Sequence, residues 1–94
     1  MTASLALELG QRNRNIRVNA ILPGPVMLGE DVSDEVRKAN EESTLLQRVG
    51  TAEHVAHAVW FLVENDFVTG VCLPVDGGRT IFAGDPMQVE HRCG

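Results

Sequence analysis

Along residues 51–65 the apolar side chains recur with the period of a helix. Val55, Val59, Leu62 and Val63 share one face, and Ala58 and Trp60 broaden it. Thr51 stands where a cap belongs, and Glu53 in the first turn complements the helix dipole. The pattern predicts a helix from Thr51 to about Asn65. Two other stretches alternate with the period of a strand. Ile16, Val18, Ala20 and Leu22 interleave with Arg17, Asn19 and Ile21, and Pro23-Gly24-Pro25 ends the run. Its entry is polar and its exit apolar on both faces, as in a strand that enters a covered sheet. Val71 to Val75 forms the second run, closed by Asp76-Gly77-Gly78. Pro74 has no N–H to donate, which predicts an edge strand. Met1 to Leu9 read as the tail of a helix, with Leu5 and Leu9 four apart and Gly10 as its stop. Between residues 26 and 49 the pattern thins. Ser33 before Asp34 and Glu35 predicts a helix start, with Val36, Ala39 and Leu46 as a narrow stripe. Connections this long often serve as binding loops. After Arg79 the apolar period is lost, and the tail is expected to dock loosely or fray.

Strand, long connection with a helix, strand is a βαβ unit, so the two strands are expected to be parallel neighbours. The fold class is α/β, and two parallel strands are too few to make a stable sheet alone. The 94 residues, 44% hydrophobic and 22% charged, describe an ordinary globular chain. A net charge of −5 argues against nucleic-acid or anionic-membrane partners. Arg12, Arg14 and Arg17 read as a solvated loop edge. Cys72 reads as a small buried hydrophobe and Cys93 as a free exposed thiol, which predicts a reducing, cytoplasmic setting. No apolar stretch is long enough to span a bilayer, and the first residues do not resemble a secretory signal. His54 and His57 lie three apart on the predicted helix, but no third ligand at useful spacing accompanies them, so no metal site is expected. Asp76 is expected to accept backbone N–H bonds in a turn rather than to act as an acid.

Several segments, in order, resemble the short-chain dehydrogenase/reductase family. Ser4-Leu5-Ala6-Leu7-Glu8-Leu9 followed by Ile16 to Val26 resembles the stretch just after that family's catalytic Tyr-x-x-x-Lys. Arg48-Val49-Gly50-Thr51-Ala52-Glu53-His54-Val55-Ala56 looks like the entry to its last long helix. Thr69-Gly70-Val71 and Val75-Asp76-Gly77-Gly78 look like its last strand. Pro23 to Leu28 is faintly similar to the pteridine-reductase-like branch. The resemblance covers residues 1–81, which would be the C-terminal βαβ portion of a single Rossmann-type, doubly wound parallel sheet, incomplete on its own; residues 82–94 would be a flexible tail.

The resemblance implies hydride transfer between NAD or NADP and a carbonyl, an alcohol or a pteridine-like substrate. It implies that Pro23, Gly24, Pro25 and Val26 face the cofactor, with Val26 offering its backbone N–H and C=O to the carboxamide. Met27, Leu28 and Leu46 would belong to the substrate loop. Many members carry a Thr shortly after the Pro-Gly to touch the cofactor phosphates, and Leu28 stands there instead. The chain contains no Tyr and no Gly-rich phosphate turn, so no catalytic residue is assigned and activity of the chain alone is not expected. Self-association is expected through the Thr51–Asn65 helix and the Val71–Val75 edge. The competing reading is a non-catalytic interaction module that uses those same surfaces.

Overall fold

The computed structural model describes residues 1–26, 29 and 31–83. Along the chain lie α1 (Thr2–Arg12), β1 (Ala20–Pro23), α2 (Asp34–Glu42), α3 (Ala52–Glu64), β2 (Cys72–Val75) and α4 (Arg79–Ala83). β1 and β2 pair in parallel, with Ala20 opposite Cys72 and Leu22 opposite Pro74. α3 packs against both strands. This is the expected βαβ unit, and the fold class is α/β with a small parallel sheet of the Rossmann type.

Three elements depart from the sequence pattern. α1 runs through Gly10 to Arg12, whose guanidinium meets Glu8 at 3.0 Å one turn back. The helix ends instead at Asn13, which turns extended, while its side-chain oxygen accepts from the Asn15 N–H at 2.9 Å. β1 begins at Ala20 rather than Ile16. The residues before it do meet the approach to β2, by one backbone bond, from Gly70 N–H to Val18 O at 2.7 Å, and otherwise through side chains. Val18 N–H donates to Thr69 Oγ1 (3.1 Å), Asn19 Nδ2 to Val68 O (3.0 Å) and Val71 N–H to Asn19 Oδ1 (3.1 Å). A regular ladder takes over only when Ala20 N–H reaches Val71 O. Residues after Arg79 form the short helix α4 rather than fraying at once. Asp76 starts it: one carboxylate oxygen accepts from Gly78 N–H, and the other from the N–H and hydroxyl of Thr80.

The buried face of α3 also differs from the expected stripe. Ala58 and Leu62 are buried and Val55 half-buried, whereas Val59, Trp60 and Val63 are exposed. The inner face therefore repeats at 55, 58 and 62, and a second apolar face points outward. Arg17 closes the far end of α3. Its Nη1 donates to Leu62 O (2.8 Å), Asn65 O (3.1 Å) and Val68 O (3.0 Å), and its Nη2 to Val63 O (3.2 Å). Carbonyls of a last helical turn lack partners within the helix, and a cation there complements the dipole. Arg17 is thus a helix cap and not part of a solvated edge. Cys72 is disulfide-bonded rather than a free thiol; Cys93, Met27 and Leu28 lie outside the described residues. Among the described residues no helix is long and apolar enough to cross a membrane.

Candidate functional site

Both strands point their carboxyl ends at one cleft of about 770 Å³. Open parallel sheets bind ligands at that end, because the connecting turns there project backbone groups beyond the last paired residue. One wall is the end of β2 with its turn, from Leu73 to Gly78. Another is the connection that includes Thr44, Leu45, Leu46, Val49 and Gly50. The start of α3 supplies Glu53, His54, His57, Ala58 and Phe61, and Pro25 and Val26 complete the rim.

The turn Asp76-Gly77-Gly78 is the hub that assembles these walls. Gly77 O accepts from Leu46 N–H at 3.1 Å. Gly77 and Gly78 hold φ of 61° and 80°, the left-handed region that penalises a side chain. A Cβ on Gly77 would sit 3.2 Å from Thr44, and one on Gly78 2.9 Å from Leu45. Thr44 is itself 1% exposed. Its hydroxyl donates toward Glu41 O and Arg48 O, and it accepts from Arg48 N–H. Gln47, at φ 58°, reverses the chain, and its amide nitrogen donates to Thr44 O at 2.6 Å. The connection after α2 is therefore a built turn clamped on β2. Burial pushes the Asp76 carboxyl up, but the bonds from the hydroxyl and N–H of Thr80 and from Gly78 N–H outweigh it. Its pKa lies below the ordinary value.

Pro25, Val26 and Leu46 line the cleft as a group; Pro23 and Gly24 do not. Pro23 ends β1 with its side chain exposed. Gly24 is pressed against the hub: a Cβ there would meet Asp76 Cα at 2.7 Å. Its φ is not among the positive ones, so the demand for glycine arises from close packing of two turns. The rim is held where Gly50 N–H donates to Pro25 O at 3.0 Å and Val26 bridges Gly50 in parallel. Among the described residues no hydrogen bond engages the N–H or C=O of Val26 itself. With respect to those residues its amide and carbonyl stand open, side by side, at the mouth of a mostly apolar cleft.

His54 caps α3. Its Nδ1 accepts from the Thr51 N–H at 2.8 Å and lies 3.2 Å from Thr51 Oγ1. Thr51 is the cap that the sequence pattern predicts, and a histidine fills the reciprocal role usual for Glu or Gln. That pattern misses Thr44 and Gln47, since a lone Thr and a lone Gln in a loop carry no signal. The site offers backbone polar groups, apolar contact and the polar side chains of Arg48, Glu53, His54, His57 and Asp76 on its walls. It offers no phenol, because the chain has no Tyr.

Comparison with known proteins matches residues 1–80 to the family described as enoyl-(acyl carrier protein) reductase. The chain is 40% identical over 90 residues to 3beta-hydroxysteroid dehydrogenase 1 of Eggerthella lenta, covering 89% of this chain and 34% of that protein. It is 40% identical over 83 residues to the 3-oxoacyl-[acyl-carrier-protein] reductase FabG of Pseudomonas aeruginosa, covering 82% and 32%. It is 40% identical over 84 residues to the short-chain dehydrogenase/reductase SDRA of Arabidopsis thaliana, covering 83% and 32%. The chain spans about a third of the length of the curated relatives it matches.

Proposed function

The chain belongs to the short-chain dehydrogenase/reductase family, and we propose that it is the nicotinamide-facing C-terminal part of a cytoplasmic, NAD(P)-dependent oxidoreductase acting on a carbonyl or an alcohol. The observation that carries this reading is the amide of Val26, unengaged among the described residues, at the carboxyl end of β1, with Pro25 fixed by the Gly50–Pro25 bond. A carboxamide has one acceptor and two donors, and an adjacent N–H and C=O meet it without any charged group. The apolar walls suit the flat nicotinamide ring and a carbonyl substrate, and Leu46 serves the substrate side. The proton donor and the pyrophosphate turn belong to a part of the enzyme outside these residues, so this chain alone does not turn over.

The test is a chimera in which the chain follows the upstream two-thirds of the Pseudomonas reductase. The parent chimera is expected to bind NADP(H) and reduce a carbonyl substrate. Val26→Ala, which keeps the amide, should bind cofactor like the parent. Val26→Pro, which removes the N–H, should weaken cofactor binding by about tenfold, as for loss of one hydrogen bond of roughly 1–1.5 kcal/mol. Equal binding by all three, in chimeras with equal melting temperatures, would remove Val26 from the site. The exposed Val59, Trp60 and Val63 of α3 favour self-association of the enzyme through that helix and the β2 edge. They equally suit the interaction-module reading, which an inactive but well-folded chimera would favour.

A further inference from the structure

The His54 ring is built into the rim of the cleft. Its Nδ1 accepts from Thr51 N–H at 2.8 Å, which requires a neutral ring with its proton on Nε2. Thr51 follows Gly50 in the chain, and Gly50 is held between two side chains. A Cβ there would lie 2.8 Å from Val26 Cγ1 and 3.4 Å from His54 Nδ1. Gly50 N–H in turn donates to Pro25 O at 3.0 Å, and Gly50 bridges Val26 in parallel. Ring, glycine backbone and Val26 thus form one stack at the mouth of the cleft. We infer that neutral His54 is a positioning residue for the Val26 rim, and that a proton on its ring releases that rim and the ligand held there. That the ligand is a nicotinamide rests on the functional reading above; the release of the rim does not.

Protonation acts twice in one direction. An imidazolium is a donor at both nitrogens, so Nδ1 then meets the Thr51 N–H donor to donor. It also sets a positive charge at the N-terminal end of α3, where the helix dipole opposes it. His54 is exposed, so solvent supplies the proton. A bond made only by the neutral ring is present above the ordinary imidazole range, near about pH 6.5, and is lost below it. Gln, a usual residue at this place in a capping box, holds the same bond and does not titrate. The charged and titratable groups that share the cleft with the ring are Glu53 and His57 on its own helix, Arg48 on the connection and Asp76 on the β2 turn. Pro25 and Val26, after the end of β1, carry no charge. Both Asp76 oxygens are taken up by Gly78 and Thr80. His57 is a second imidazole, so substitution has to separate the two.

The chimera described above is compared with its His54→Gln and His54→Ala variants at about pH 7.5 and about pH 5.5, either side of the ordinary imidazole range. Two quantities are read: NADPH affinity, and amide protection across residues 48–56 without cofactor, corrected for the intrinsic effect of pH on exchange. His54→Gln should match the parent at the higher pH and hold both quantities at the lower. On acidification the parent should lose about three- to tenfold of each relative to His54→Gln, as for one hydrogen bond. His54→Ala should stand at the lower level at both pH values. A cap that only added stability would lower the melting temperature of His54→Ala without giving the parent an acid limb that Gln removes. Parent and His54→Gln falling in parallel, or an acid limb that vanishes in His57→Gln instead, would overturn the role of His54. Protection that follows the expected pattern in chimeras that bind no NADPH at either pH would uphold the His54 clamp and overturn the nicotinamide reading, so the two failures are distinct.

Discussion

Arg17 holds the end of α3 across a sequence separation of 45 residues and more. Four carbonyls converge on one guanidinium, which satisfies Leu62 O and Val63 O together through its two terminal nitrogens. Arg17→Met keeps the aliphatic stem and removes the donors. In the chimera it should cost about 1.5–3 kcal/mol, the usual worth of charged hydrogen bonds, and speed amide exchange around residues 65–69. Arg17→Lys should recover only part, since one ammonium cannot present the fork. A melting temperature that ignores both changes would show the cap to be ornamental. Asp76 supports a pH prediction. Its folded pKa lies below the unfolded value, so the stability it contributes is present above about pH 3.9. That contribution is lost as pH falls through the lower, folded value. Asp76→Asn should therefore lower stability at neutral pH and flatten its decline in acid, as followed by urea titrations of the chimera between neutral and strongly acidic pH. A mutant with the parent's acid limb would show that other carboxylates carry it.

At the scale of elements, the Pro23-Gly24-Pro25 turn and the Asp76-Gly77-Gly78 turn form one unit. Gly24 is the contact between them, and even a methyl group would press on Asp76 backbone. A glycine kept only for close approach of the cofactor would make Gly24→Val weaken cofactor binding more than folding. With Gly24 packed on the hub, both should fall together. Gly24→Ala should cost about 1–3 kcal/mol, as overpacking does, with Gly24→Val at or beyond the upper end. Melting temperature and cofactor affinity of the chimera, measured side by side, decide it; a stable Gly24→Val that has lost only affinity would show that Gly24 serves the cofactor rather than the packing of the turns. Local patterns were legible in the sequence: the α3 period, the Ser33 cap that accepts from Val36 N–H, and the parallel pair β1 and β2. Contacts that join distant residues were not. The side-chain ladder at Asn19 and Thr69 shortened β1, and the Arg17 cap hid in what looked like a basic loop. The inner face of α3 shifted because only the folded sheet decides which of two apolar faces is covered. Pro25, Val26 and Leu46 lie in the segments that the family resemblance marks, and they line the cleft, whereas Thr44 and Gln47 act through turn geometry that no spacing reveals.

The whole molecule has little interior. Among the described residues the buried apolar side chains are Ala6, Ala58 and Leu62, and two of these are alanines. Leu5, Leu7, Trp60, Val63 and Phe82 are exposed, and Phe67 is 96% exposed. Each large apolar side chain left in water forgoes about 1.5–3 kcal/mol, against a total stability of about 5–15 kcal/mol for an ordinary domain. The radius of gyration, 15.5 Å, exceeds the roughly 12 Å of a compact domain of this length, so the elements are strung out rather than wrapped around a centre. Among the described residues β1 has one strand neighbour, and no strand pairs with its other edge, which is flanked by apolar side chains. The reduced chain alone should therefore associate or stay loosely packed. α3 should be its most protected element, because it carries both its caps and the best-buried side chains. Sedimentation, a thermal melt and amide exchange on the same reduced sample check this. Association or a broad melt, with exchange slowest in α3 and fast in β1, is expected. A cooperative melt of a monomer with slow exchange across residues 20–23 would show that a two-stranded sheet and one helix suffice as a domain, and would turn the balance toward the interaction module.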